Sequence, residues 1–234
     1  MLNLRDFSWR EYDAEGTELL EESGWIYGIG AGGEVSRNHF GWRYGTEFFG
    51  GIVDYDGHSQ SGQPATSETL YYGGQLDGEL MGIISFDPHA AVKGLLGLGG
   101  ALWVRDIRDG STPYGQPVYG YREFWMTADW HVGMEANWLF SNEIEAFGVL
   151  LWRFPLYARN QVDLSRFELG TVTVEPKQRV STTAEAGLRW KMVAASLTYD
   201  TRLFDRSDTV GIGFYQPDSE AGALGFRLSL VRNL

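Results

Sequence analysis

The sequence predicts an all-β protein: a transmembrane, up-and-down antiparallel β-barrel of about ten strands, with eight as the other count considered. Three observations predict it. Apolar and polar residues alternate with period 2 through most of the chain, as in strands with one face against an apolar medium. The connections alternate between tight turns and long loops, which in a meander puts all tight turns at one end and all long loops at the other. Aromatic residues gather at the ends of the alternating runs, as ring belts do at two membrane–water interfaces. Residues 1–234 read as a single barrel domain.

The elements follow in order. A first, weaker run sets Phe7 and Trp9 against Ser8 and Arg10. Trp25, Tyr27, Ile29, Ala31 and Val35 then oppose Gly28, Gly30, Gly32 and Glu34. Phe40, Trp42, Tyr44, Phe48 and Ile52 oppose Arg43, Gly45, Glu47 and Gly51. Tyr72, Leu76, Leu80, Ile84 and Phe86 oppose Gln75, Asp77 and Glu79; Leu96, Leu98, Leu102 and Val104 oppose Gly97, Gly99 and Arg105. Phe124, Met126, Ala128, Trp130 and Val132 oppose Glu123, Thr127, Asp129, His131 and Glu135. Ile144, Ala146, Leu150, Trp152 and Phe154 oppose Glu145 and Arg153, with Phe147, Val149 and Leu151 blurring that face. Val180, Thr182, Ala184, Ala186, Leu188 and Trp190 oppose Thr183, Glu185 and Arg189. Val193, Ala195, Leu197, Tyr199 and Leu203 oppose Ser196, Asp200 and Arg202; Leu224, Phe226, Leu228 and Leu230 oppose Gly225, Arg227 and Ser229. The expected connections are 13–18, 36–39, 55–67, 86–92, 108–119, 139–142, 158–177, 191–192 and 205–220. An even strand count puts both termini at the tight-turn end.

Alternation alone fits a soluble β-sandwich as well, and three features choose the membrane barrel. The apolar faces, with most of the 9 Trp, are too bulky to be enclosed by about ten strands. The polar faces are rich in glycine, which weakens a solvated strand but makes room in a narrow lumen. Expected belts are Phe40, Trp42, Tyr44, Phe86, Trp138, Phe140 and Trp190 at the turn end. At the loop end they are Trp25, Tyr27, Tyr72, Tyr121, Phe124, Trp152, Phe154, Tyr157 and Phe204. No run is long and apolar enough for a membrane helix. The first residues lack the basic-then-apolar layout of an export signal, so an exported protein is expected here in its mature form.

Composition narrows the function. The absence of cysteine excludes disulfide scaffolds, Cys-ligated zinc and thiol catalysis, and the net charge of −12 argues against nucleic acid as a partner. Sixteen of the 19 basic residues are Arg, the cation suited to paired, confined sites. The inward face collects Glu34, Arg43, Glu47, Asp77, Glu79, Arg105, Glu123, Asp129, His131, Glu135, Glu145, Glu185, Arg189, Asp200, Arg202 and Arg227. In a narrow barrel such charges persist by pairing with one another and with water, so the set reads as a lumen ionic network closing the bore rather than an ion path. No His/Asp/Glu cluster has metal-ligand spacing, and no cofactor is expected.

Three stretches carry a family resemblance: GGIVDYDGH (50–58), TLYYGGQLDGELMGIISFDPHAAVKGLLGLGG (69–100) and GYREFWMTADWHVGMEANW. Together they make the region from about Phe40 to Phe154 resemble the omptins, ten-stranded outer-membrane proteases. The resemblance implies that Asp54 and Asp56 occupy the place of the omptin acidic pair, where two carboxylates position a water opposite an Asp–His pair. The strand expected to carry that second pair reads WRFPLYARN; the letters Asp-x-His occur instead at Asp129–His131, on another strand and nearer the turns. Read without the resemblance, Asp54 and Asp56 are a polar strand end leading into a turn at Gly57. The chain ends LSLVRNL, with Leu230, Arg232 and Leu234 in the lipid-facing phase and no final aromatic.

The expectation is a monomeric bacterial outer-membrane barrel with a charged, largely closed lumen. Its role is structural, surface-interacting or that of a small pore, with an omptin-like aspartyl endopeptidase as the alternative. Outer-membrane lipid is the expected surrounding, with an unidentified extracellular or periplasmic partner. The long loops on a rigid wall are where a specific function would reside.

Overall fold

The structure, a computed structural model, describes residues 1–58, 62–141, 143–211 and 213–230. The strands are β1 (Leu2–Tyr12), β2 (Glu18–Arg37), β3 (Phe40–His58), β4 (Pro64–Asp87), β5 (Ala90–Ile107), β6 (Gly110–Ser111), β7 (Pro117–Val118), β8 (Arg122–Ser141), β9 (Ile144–Asp163), β10 (Thr171–Val174), β11 (Lys177–Gln178), β12 (Ser181–Trp190), β13 (Val193–Asp205) and β14 (Asp218–Leu230). A single 3₁₀ turn, Ser165–Phe167, interrupts the loop after β9.

Ten long strands, β1 to β5, β8, β9 and β12 to β14, pair antiparallel in chain order, and β1 closes on β14 from Leu2↔Leu228 to Tyr12↔Asp218. Closure leaves the wall no free edge. The four short strands elaborate the loop end. β6 and β7 form a small hairpin that touches β4 at Thr66↔Ser111, β10 lies on the end of β9, and β11 on the end of β13. The opposite end has two-residue turns, with Asn38 and Lys191 in the left-handed conformation that a tight hairpin turn demands.

The outward face is apolar over its full middle height. Ile29, Phe48, Leu80, Leu98 and Leu197 stand more than 60% exposed, and Phe40 reaches 76%. A surface this apolar and this continuous is untenable in water and fits hydrocarbon. Trp42 and Tyr44 stack at the turn end of the wall, and Trp130 and Phe154 stack on its outer face. No helix among the described residues is long and apolar enough to cross a membrane; the strands do the crossing.

Three sequence-based expectations change. Phe7 and Trp9 face inward with Asn3, Arg5 and Glu11, whereas Ser8 and Arg10 face out; Trp9 is 1% exposed. Trp103, Trp125, Tyr71 and Phe204 likewise face inward, so the loop-end half of the bore holds an aromatic core and Phe204 is no part of the outer belt. The physical reason is that a barrel of this width has more interior volume than its paired charged side chains fill, and rings occupy the rest. Third, β3 continues to His58 and β4 starts at Pro64, so the chain does not turn at Gly57.

The blurred face of β9 also resolves. Leu151 is buried and Val149 packs against it with Met81 and Leu95, so the inward phase carries apolar residues at the turn-side half. Between Ala128 and Asp129 the β8–β9 register shifts around Pro155. Proline has no N–H for the ladder and belongs at such a bulge. The shift turns Ala158 and Asn160 inward above it. Arg232 and Leu234 lie outside the described residues.

Candidate functional site

The lumen is best built upward from the turn end. Glu34 on β2 receives Lys93 of β5 at 2.7 Å, and Lys93 also reaches Glu135 of β8 at 3.0 Å. Arg43 of β3 bridges Glu79 and Glu135. His131, fully buried, lies between two carboxylates, with Nδ1 3.2 Å from Asp129 and Nε2 3.2 Å from Glu79. Arg153 of β9 holds Asp77 at 2.8 Å and Asp129 at 3.0 Å. On the facing wall Arg189 holds Glu145 at 2.9 Å, and Arg227 pairs with Glu185. Arg5 pairs with Glu47. Asp200 accepts from Thr183 Oγ1 at 2.7 Å, and Arg202 donates to Thr127 and Gln75.

Glycine makes this network possible. A Cβ on Gly99 would stand 2.6 Å from Asp77 Oδ1 and 2.7 Å from Arg153 Nη1, and one on Gly97 would collide with His131 Nε2 and Glu79. Gly94, on the lipid face, has open space around it. Gly99→Val is therefore expected to destabilise the barrel by about 1–3 kcal/mol through overpacking, while Gly94→Val changes little. Urea unfolding of the two variants checks this; equal losses would contradict the packing account.

Above this network a cluster of buried rings fills the bore. Trp9, Trp125 and Phe204 pack together, Trp103 stacks on Trp125 at 5.4 Å, and Phe7 meets Tyr71 edge-on. Set into this plug is one fully buried cation facing three carboxylates. Arg105 donates to both oxygens of Glu22 at 3.0 Å, to Glu11 at 2.8 Å and to Glu123 at 3.2 Å, and lies over the Trp9 ring. The indole N–H of Trp9 donates to Glu11 at 2.9 Å and that of Trp125 to Glu123 at 2.8 Å. Thr69 and Tyr71 donate to Glu22, and Gln216 to Glu11. Burial of four charges is tolerable only because nearly every lone pair and proton has such a partner.

Glu11 and Glu123 are also the floor of a vestibule of about 590 Å³ at the loop end. Its walls include Tyr55, Tyr119, Tyr121, Leu164, Phe167, Val174, Phe214 and Tyr215. The wall is mostly apolar around a few polar groups. At the rim Arg166 stacks on Tyr119 at 4.4 Å and Arg206 on Tyr215 at 3.8 Å. Arg166 also ties the loop after β9 to Asp109 in the loop after β5. Its hydrogen bonds, with one from the Gly120 N–H, hold the Asp109 carboxyl below the usual carboxylate range. Burial lifts the Tyr121 phenol well above its ordinary range.

Glu34, Arg43, Glu47, Asp77, Glu79, Arg105, Glu123, Asp129, His131, Glu135, Glu145, Glu185, Arg189, Asp200, Arg202 and Arg227 all stand in the inward phase of their strands. Asp54 and Asp56 do not join them. They share the outward phase of Ile52, are exposed, and lie opposite Ser23 and Glu68, and Glu21 and Thr66, respectively. Sequence reasoning missed Arg5, Glu11, Glu22, Lys93 and Arg153 as members of the ionic set. Glu11 and Glu123 each lie two residues from a tryptophan, Trp9-Arg10-Glu11 and Glu123-Phe124-Trp125, a spacing that puts acid and indole on one strand face.

No family model matches the chain, and no curated protein matches it. Among solved structures it is similar to the outer membrane protease OmpT from Escherichia coli, at 11% identity and a TM-score of 0.52, over 99% of this chain and 93% of that one. It also aligns with the beta domain of the Bordetella autotransporter BrkA (15% identity, TM-score 0.32, 98% of each chain). The P. putida toluene transporter TodX aligns at 8% identity and a TM-score of 0.32, over 100% of this chain and 89% of that one. The fold is that of a closed, ten-stranded outer-membrane β-barrel, resembling the omptin barrel along its whole length.

Proposed function

We propose that the protein is a closed outer-membrane barrel that acts at its outer end, as a non-enzymatic surface-interaction protein whose contact site is the loop-end vestibule. The observation that carries this reading is the packing beneath that vestibule: Arg105, its three carboxylates and the rings around them are buried against one another across the bore, while the space above is roomy and lined by rings. The acid excess on the floor suits a ligand with a positive group on an apolar body.

The endopeptidase reading is supported by the likeness of fold and by an acidic pair near the loop end. It needs both carboxylates and a histidine to address one water. Asp54 and Asp56 point away from the bore, and Asp129 and His131 lie inside it beneath the plug, which supports the non-enzymatic reading. In planar bilayers the protein is expected to show no discrete conductance steps, and in lipid it is expected to leave a fluorogenic peptide panel uncut, with Asp54→Asn indistinguishable from wild type. Cleavage that disappears in Asp54→Asn would overturn the reading in favour of the enzyme, and steps in the wild type would overturn it in favour of a pore.

A further inference from the structure

Below the aromatic plug lies a second, smaller cavity of about 100 Å³, bounded above by Trp9, Trp103 and Tyr71. Three guanidiniums line it, Arg5, Arg153 and Arg202, against one carboxylate, Asp200. Two of the three are anchored from behind. Glu47 takes a terminal nitrogen of Arg5, and Asp77 and Asp129 take Nη1 of Arg153. Asp200 is engaged by the Thr183 hydroxyl.

Arg202 differs from both. Among the described residues it has no carboxylate within ion-pair distance: its hydrogen bonds go to neutral oxygens of Thr127 and Gln75, and its plane lies over Trp103 at 5.5 Å. Asp129, Asp200 and Asp77 act on it only at longer range. A buried Lys or carboxyl in this position would shed its charge by proton exchange, but a guanidinium keeps its charge in any protein setting. Arg202 is half-buried, so its charge is only partly hydrated, and the cavity it lines has room for a counter-ion beside it. The second unpaired group points the same way. Nε of Arg5 is buried and has no hydrogen-bond partner among the described residues.

We propose that this cavity is a binding site for a small inorganic anion of halide size, held between Arg202, Arg5 and Arg153. The volume admits one such ion with a few waters and is too small for an anion of the size of gluconate, since a water's share of liquid volume is about 30 Å³. A bound anion would join the two walls of the barrel across the bore at the level where the aromatic plug ends and the ion-paired network begins. Its effect would therefore be on stability.

The test uses the whole chain refolded in detergent. Thermal unfolding is measured in sodium chloride, bromide and gluconate at equal ionic strength. The melting temperature is expected to be a few degrees higher in either halide and to saturate with halide concentration. Exclusion effects of large, well-hydrated anions run the other way, which separates site binding from a general salt effect. Arg202→Met is expected to abolish the halide dependence, and Arg202→Lys to retain part of it. Crystals grown in bromide are expected to show an anomalous peak between the three guanidiniums. Equal melting temperatures in halide and gluconate, or an unchanged halide dependence in Arg202→Met, would overturn the site. If Arg202→Met fails to fold, the bromide peak in wild type decides, and its absence overturns the proposal.

Discussion

Arg105→Met is expected to be the most damaging single substitution in the chain. It leaves Glu11, Glu22 and Glu123 buried beside one another with no cation among them. Removing one partner of a buried ion pair costs about 3–5 kcal/mol, because the remaining charge is uncompensated. At a few degrees per kcal/mol, that corresponds to a melting temperature lower by roughly 6–20 °C. The heat-modifiable gel mobility of the refolded barrel and its thermal unfolding by circular dichroism read this directly. Arg105→Lys keeps the charge but loses the fork that serves Glu22 through two nitrogens, so an intermediate loss is expected. The double variant Arg105→Met, Glu22→Gln should recover part of the stability, since it removes one of the stranded charges. Equal stability of Arg105→Met and wild type would mean that the carboxylates are neutral in the folded barrel and that the cluster is held by its hydrogen bonds alone.

How much of this was legible beforehand depended on which residues signalled a face. In β3 and β4 alternation fixed the phase without ambiguity, because Trp42, Tyr44 and Phe48 on one side met Arg43 and Glu47 on the other. The lumen set followed from that phase. In β1 the same logic misled. Phe7 and Trp9 read as lipid-facing, yet the indole N–H of Trp9 is committed to Glu11 inside the bore. An apolar side chain has two possible destinations in a barrel, lipid or plug, and periodicity cannot choose between them. What separates them is the company at i+2, where Trp9 has Glu11 and Trp125 has Glu123 at i−2, while the lipid-facing Trp25 has Tyr27. Asp54 and Asp56 show the converse. Two acids at an expected strand end resemble a site; β3 runs on past them and carries them on the outer wall, and the pairing of Asp54 with Glu68 places like charges side by side. Arg153 already stands on the polar face of its run, where Phe147, Val149 and Leu151 blur the phase, and Lys93 falls between the expected turn at 86–92 and the first alternating residue, Leu96.

If the ring cluster seals the bore as proposed, Trp9 and Trp125 are the expected barrier. Glu11 and Glu123 line the vestibule above, while Trp9 and Trp103 line the small cavity below, so these rings separate the two spaces. Further down, Arg43, Asp77, Glu145, Arg189 and Arg227 retain some solvent exposure, and the lower bore is therefore wetted from the turn end. Asn137 Oδ1, Arg189 Nε and Arg227 Nε are buried without a hydrogen-bond partner among the described residues, and such groups favour bound water. The double variant Trp9→Ala, Trp125→Ala removes the two largest buried side chains and is expected to convert a silent barrel into one with discrete single-channel steps. The opened pore should favour cations. Glu11, Glu22, Glu34, Glu47, Asp77, Glu79, Glu123, Asp129, Glu135, Glu145, Glu185 and Asp200 outnumber Arg5, Arg43, Lys93, Arg105, Arg153, Arg189, Arg202 and Arg227 along the bore. Reversal potentials in a potassium chloride gradient measure that preference. Each Trp→Ala change costs about 3–5 kcal/mol in a packed core, so heat-modifiable mobility must first show that the variant folds. A folded variant that stays silent would move the barrier down to the bridges of Arg43 with Glu79 and of Arg153 with Asp77, and anion selectivity would contradict the charge count of the lumen. Because the rings and Arg105 share one cluster, a variant that conducts while remaining folded would also show that the ionic part of the plug can stand once wetted. The indoles would then serve chiefly to keep water out of a site whose charges are already paired.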